Sequence, residues 1–153
     1  MSRPSERGFT LLEMVCVLAL IAMMAAVLLP FIPRNTSRAR LQGYVLQTAA
    51  LLKEDRSAAI RRGTGVATFV DAGSHTIRSG SSADMIRIPD DVHFETLLPR
   101  TCNQREALLT ISFFASGMSC GGTVALTRAD VGYEVRVNWL TGRVEIVSRN
   151  ITN

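Results

Sequence analysis

The sequence predicts an α+β protein: a long N-terminal helix, apolar in its first half and amphipathic in its second, packed on a C-terminal antiparallel β-sheet. Three observations carry this. From Phe9 to Phe31 the only charged residue is Glu13. Beyond Pro30 and Pro33, the residues Leu41, Tyr44, Val45, Thr48, Leu52 and Ala59 recur at three- and four-residue intervals, the period of a helix with one buried face. After Gly65 the pattern changes to short β-type runs separated by turn formers, and one helix followed only by strands is the order of a helix lying on an antiparallel sheet.

The first element is the apolar run. As a helix, Phe9 to Phe31 would rise about 35 Å, enough to cross a hydrocarbon core of about 30 Å. Arg3 and Arg7 in front of it could form the basic region of a secretory signal peptide, but the run exceeds the usual apolar stretch of such peptides and ends in Leu28-Leu29-Pro30-Phe31-Ile32-Pro33 rather than at a small-residue cleavage site. A plain membrane anchor is the second alternative. Glu13 weighs against it, because a carboxylate on a lipid-facing helix costs about 3 kcal/mol unless it is paired or neutralised. Cleavage between Gly8 and Phe9 would supply the partner, since the new α-amino group would lie one helical turn from Glu13. Gly8, lacking a Cβ, lets a protease approach an extended backbone closely. Pro30 removes an amide donor and clashes with the preceding turn, and Pro33 reinforces the break, so a kink or local melting is expected there.

The second element is the amphipathic stretch, in which Arg40, Gln47, Lys53, Asp55 and Arg56 fall largely between the apolar positions. Gly63 and Gly65 end it. One proline-broken helix is thus expected from Phe9 to about Arg62, on the order of 80 Å long. The third element is the sheet, with runs at Val66 to Val70, Met85 to Ile88, Leu108 to Phe114, Thr123 to Thr127, Tyr133 to Trp139 and Arg143 to Val147. Leu140-Thr141-Gly142 reads as a tight hairpin between the last two. Residues 71–84 and 89–106, rich in Gly, Ser, Asp and Pro, read as loops. The expected organisation is a leader at 1–8, a membrane or filament-core helix at 9–33, an amphipathic helix at 34–64 and a β-rich domain at 65–153.

The 153 residues leave room for one compact domain plus an appendage, which argues against a multidomain enzyme. A formal net charge of +4 permits an acidic partner. The arginines after residue 60 are nonetheless scattered singly, apart from Arg61 and Arg62, whereas nucleic-acid sites cluster their charge and interleave aromatics. Cys16 lies in the apolar run, so only Cys102 and Cys120 could pair. Their spacing and the absence of nearby histidines argue against zinc and leave a disulfide or two free thiols, the former favoured if the domain is extracytoplasmic.

No enzyme constellation stands out, and no cofactor or metal is expected. His75 and His93 are isolated and read as surface residues. Asp90-Asp91 lack the calcium-loop pattern and read as a turn after Pro89. Gly121-Gly122 lack the lysine and helix of a phosphate loop. Trp139 reads as a packed strand residue.

Arg7-Gly8-Phe9-Thr10-Leu11-Leu12-Glu13 resembles the prepilin peptidase recognition motif of type IV pilins and type II secretion pseudopilins. The resemblance implies a pilin-like fold, cleavage between Gly8 and Phe9 by a membrane aspartyl protease, N-methylation of Phe9, and a role for Glu13 in filament assembly. It also places the N-terminus in the cytoplasm and the C-terminal domain in the periplasm. Charge alone does not orient the span, since Arg3 and Arg7 before it are matched by Arg34, Arg38 and Arg40 after it. A second resemblance covers more of the chain: Leu51-Leu52-Lys53 through Gly63, Ile111-Ser112-Phe113-Phe114-Ala115-Ser116-Gly117 with Gly121-Gly122, and Val137 with Thr141-Gly142-Arg143-Val144 are similar to the general secretion pathway protein H family. That family implies a minor pseudopilin at or near the pseudopilus tip. Its partners would be the prepilin peptidase, other major and minor pseudopilins, the inner membrane and the secretion machinery. The alternative is a type IV pilus minor pilin whose basic surface binds DNA for uptake. Phosphate binding needs clustered arginines, and their dispersion argues against nucleic acid.

Overall fold

The computed structural model describes Thr10–Leu28 and Thr36–Asn150. The chain divides into two compact units, meeting in sequence between residues 35 and 36. The first contains helix α1, Leu11–Leu28. Every described side chain from Thr10 to Ala25 is exposed, and the helix is apolar nearly all round. Among the described residues no helix is long and apolar enough to cross a membrane: the 18 residues of α1 rise about 27 Å, slightly less than a hydrocarbon core. The apolar run of sequence continues past them. The expected helix over Pro30 and Pro33, and the kink there, lie outside the described residues.

The second unit opens with helix α2, Arg38–Arg62. It has explicit start and stop signals. Ser37, in extended conformation, accepts a hydrogen bond from the Arg40 amide through its hydroxyl, satisfying one of the first free N–H groups. Gly63 closes the other end at φ 64°, a left-handed conformation suited to glycine. Arg61 and Arg62 place positive charge at the carbonyl end of the helix. The buried face holds Leu41, Val45, Thr48, Ala49, Leu51, Leu52, Ala58 and Ala59, the expected stripe. Asp55, expected on the solvent face, is also fully buried.

The β region forms two four-stranded sheets rather than one. The first has the order β3-β2-β1-β7, built from Val66–Asp71 (β1), Thr76–Arg78 (β2), Met85–Arg87 (β3) and Thr110–Phe113 (β7). The second has the order β10-β9-β8-β4, built from His93–Leu97 (β4), Gly122–Arg128 (β8), Val131–Val137 (β9) and Val144–Asn150 (β10). Thr101–Cys102 (β5) and Arg105–Glu106 (β6) form a small ribbon. All pairings are antiparallel. The core joins Leu41, Val45 and Leu52 of α2 to Val70, Ile77, Ile111 and Phe113 of the first sheet and to Val124, Leu126 and Val135 of the second.

The two stretches read as loops contain β2, β4, β5 and β6. Asp71 turns the chain back by accepting from the Gly73 and Ser74 amides and the Ser74 hydroxyl, which sets Thr76 beside Asp71 in the β1–β2 ladder. β4 is anchored by one core residue, Phe94, among neighbours that face outward, so its alternation is faint.

Candidate processing and assembly site

Gly8 and Phe9 precede the described residues. Glu13 lies in the first turn of α1 and is exposed. Thr10 begins that turn: its carbonyl accepts from the amides of Glu13 and Met14, and its hydroxyl accepts from the Glu13 amide at 3.3 Å. A short polar side chain therefore holds the open end of the helix, and the only charge within α1 stands in the turn nearest Gly8 and Phe9. That turn attracts an anion through the helix dipole. The remainder of α1 is an apolar rod. Cys16 is exposed on it and unbridged.

In the second unit, the start of α2 is tied to the β region. Asp91 accepts from the Thr36 amide and the Thr36 hydroxyl, both at 2.7 Å, and from the Arg128 guanidinium at 3.0 Å. The Thr36 bonds, with Arg128 beside them, hold the Asp91 carboxyl below its ordinary value. The turn expected after Pro89 is present, closed by the Val92 amide on the Pro89 carbonyl at 3.0 Å. Asp91 serves there as an anchor for α2.

Midway along α2, Asp55 gathers four donors: the Thr68 hydroxyl at 2.5 Å, the Ser79 hydroxyl at 2.6 Å, and the amides of Gly80 and Ser81 at 3.0 and 3.1 Å. Burial pushes its carboxyl toward the neutral form, but the bonds from Ser79, Ser81, Thr68 and Gly80 outweigh burial and hold it below its ordinary value. Gly80 can approach this closely because a Cβ there would collide with the Ala67 carbonyl. Helical spacing alone could not reveal this site. The run Ser79-Gly80-Ser81-Ser82, dense in short donors, was the available signal.

Next to Asp55 on α2, Arg56 donates to the carbonyls of Gly117 and Thr141, each at 3.0 Å, fastening the loops that hold them. Cys102 and Cys120 form a disulfide across 5.7 Å between Cα atoms, joining the β5–β6 ribbon to the segment before β8.

Trp139 is not a packed strand residue. β9 ends at Val137, Asn138 accepts from the Leu140 and Thr141 amides through its side chain, and Trp139 is carried out of the ladder to 63% exposure. His93 is exposed and paired with Glu95 at 2.9 Å. His75 is half-buried, its ring edge-on to Phe94 at 5.8 Å. Among the described residues, no group of three or more His, Cys, Asp or Glu side chains is placed to hold a metal ion. Arg128, Arg136, Arg143 and Arg149 each lie beside a carboxylate, so their charge is locally compensated rather than gathered into a phosphate-binding patch.

Residues 3–29 match the family described as the prokaryotic N-terminal methylation motif. Over 144 residues the chain is 31% identical to the type II secretion system protein H of Xanthomonas campestris pv. campestris, a match that covers 93% of this chain and 83% of that protein. Among solved structures, the minor pseudopilin EpsH from the type 2 secretion system of Vibrio cholerae superposes with a TM-score of 0.54 at 11% identity, covering 74% of this chain and 98% of that one. The type IV minor pilin FimU of Pseudomonas aeruginosa superposes with a TM-score of 0.55 at 16% identity, covering 73% and 91%. At such identities these two show the fold alone, and it is shared by a secretion subunit and a pilus subunit.

Proposed function

The chain belongs to the type II secretion system protein H family, and from that premise we infer that it works as a minor pseudopilin, a structural subunit that enters the pseudopilus through its N-terminal helix and assists protein export. The observation that carries this reading is the pairing of a helix exposed and apolar on every side with one carboxylate, Glu13, in its first turn. Such a surface needs lipid or the helices of neighbouring subunits around it, and Glu13 needs a cation.

Prepilin peptidase cutting between Gly8 and Phe9 would create that cation four residues from Glu13, within reach along one helix face or across to an adjacent subunit. In lipid the paired charges offset part of each other's desolvation. In a filament, the same carboxylate would accept the amine of the neighbouring subunit and set its axial register. The N-terminus then lies in the cytoplasm and the disulfide-bearing unit in the periplasm, where a Cys102–Cys120 bridge persists. A tip-proximal position follows the family rather than any feature of this chain. DNA uptake gains no support, because the guanidinium groups are dispersed along the chain and Arg128, Arg136, Arg143 and Arg149 each lie beside a carboxylate.

Two substitutions test the reading in cells. Gly8→Val should leave a precursor still beginning at Met1 or its immediate successor, while the native chain should begin at a methylated Phe9 by mass spectrometry. Normal processing of Gly8→Val would overturn the cleavage assignment. Glu13→Ala should be cleaved as usual yet be lost from pseudopili, with incorporation falling by about tenfold or more if the ion pair contributes 1.4 kcal/mol or more. Unchanged incorporation would remove the proposed role of Glu13.

A further inference from the structure

Strand β10 is an open sheet edge. It pairs with β9 through seven consecutive residues, Val144 opposite Val137 to Asn150 opposite Val131, without a bulge, and carries no proline. Natural edges of that length are usually blunted by bulges, proline, charged side chains or a covering element. β10 carries the charges of Glu145 and Arg149, which lie beside Arg143 and beside Glu95 and Glu134 respectively. The other edge strands are shorter: β3 has three residues, β7 four and β4 five. The Asn138 amide donates to the Arg143 carbonyl at 2.9 Å, so Arg143 belongs to the set bonded toward β9. By the alternation of an antiparallel ladder, Glu145, Val147 and Arg149 share that set, and Val144, Ile146 and Ser148 turn their N–H and C=O groups outward.

Beside this edge runs an open groove of about 750 Å³, with Lys53, Arg56 and Ser57 of α2 on one wall and Arg143 to Val147 on the other. Its charged lining is three basic groups and one acid, Glu145, whose carboxylate lies 3.7 Å from Arg143. Ile146 stands in the groove 40% exposed, an apolar shelf between the helix and the free backbone.

We propose that the β10 edge and the basic flank of α2 form a strand-addition site for an extended, acid-bearing segment of another protein chain. The outward amides and carbonyls of Val144, Ile146 and Ser148 would supply main-chain hydrogen bonds, and Lys53 and Arg56 would select Glu or Asp at alternate positions of the incoming strand. A second copy of β10 is the poorer occupant, since antiparallel pairing about Ile146 would set Arg143 against Arg149. The site depends on the β10 edge and not on cleavage at Gly8, so the processing test and this one fail independently.

The test is amide hydrogen exchange, read by NMR, on the isotope-labelled full chain in detergent micelles. The probe is a capped octapeptide of alternating Val and Glu, and the control replaces Glu by Lys. Exchange at Val144, Ile146 and Ser148 should slow by on the order of tenfold with the glutamate peptide and not with the lysine peptide. Lys53→Glu should abolish that slowing. Ile146→Pro, which removes an outward N–H and spares the β9 ladder, should abolish it with the remaining amide spectrum unchanged. If Ile146→Pro fails to fold, Lys53→Glu still decides. The proposal is overturned if the glutamate peptide at millimolar concentration slows none of the three amides, if both peptides slow them equally, if the slowing survives Lys53→Glu, or if the amides are already protected without peptide, which would mean that a second copy occupies the edge.

Discussion

Helices α1 and α2 are both rich in apolar residues, and their surroundings differ sharply. Leu11 of α1 is 86% exposed and Leu52 of α2 is 0% exposed. α2 has a cap at each end, a face that fits two sheets and a buried carboxylate with four donors. α1 has Thr10 at its open end, and every described side chain from there to Ala25 is exposed. The contrast separates two kinds of instruction. The residues of α2 specify a buried place within their own unit, whereas those of α1 present an apolar surface on every side.

The widest test of that contrast removes the same side chain from each helix. Leu52→Ala should lower the unfolding free energy of the globular unit by about 2–5 kcal/mol, as a fully buried leucine does. Leu18→Ala should leave that transition where it is. Parallel denaturant titrations read both, and equal losses would mean that the difference in exposure between the two leucines does not set their cost.

Next in size is Asp55. Asp55→Ala leaves the buried hydroxyls of Thr68 and Ser79 and the part-buried amide of Gly80 without their carboxylate acceptor and should cost about 3 kcal/mol. The same carboxylate gives a pH dependence. Its folded pKa lies below the ordinary aspartate value of about 3.9, so the unfolded chain binds the proton more tightly and acid favours unfolding. The stabilisation from Asp55 should be complete above about pH 5 and fade as pH falls through the unfolded value and then the folded one. Wild type and Asp55→Ala should therefore converge in stability in acid. A constant gap down to pH 2 would show that folding leaves the Asp55 pKa unshifted and that the four bonds do not favour its ionised form.

The disulfide should be comparable. It closes a loop with a sequence separation of 18, for which chain entropy gives about 3 kcal/mol. Cys102→Ser should lower the denaturation midpoint of the globular unit correspondingly, and non-reducing peptide mapping of the wild type should recover Cys102 and Cys120 in one linked fragment. Recovery as two free thiols would remove the bridge from the account.

What could be read from the sequence follows the same division. The apolar run, the α2 stripe, the end of α2 at Gly63 and six strand regions were legible because each is a periodic or punctuated local signal. The break of the β region into two sheets was not, since it depends on which strands pair at long range. Nor was β2, whose three residues take their register from the turn at Asp71. Asp55 and Trp139 failed for opposite reasons. Asp55 carries a charge that local pattern assigns to solvent, and four donors from other elements reverse the assignment. Trp139 has the bulk of a core residue, and the Asn138 turn carries it outward. Residues 3–29 match the N-terminal methylation motif, and the roles proposed for Gly8, Phe9 and Glu13 rest on that match and not on the described structure.

The finest probe of the contrast makes one substitution twice, once inside α2 and once at the residue that caps it. Gly63 and Gly43 both have open space where a Cβ would go, so neither replacement by alanine meets a steric obstacle. Gly63 adopts φ 64° to turn the chain out of the helix, and a Cβ in that conformation costs about 1 kcal/mol. Gly43 lies within the helix, where alanine should be more favourable by about 0.5–1 kcal/mol because it loses less backbone entropy on folding. Gly63→Ala should thus lower the midpoint and Gly43→Ala raise it, although the chemical change is identical. Shifts of the same sign would mean that backbone conformation does not govern these positions and that the ends of α2 are held by tertiary packing instead of by their own residues.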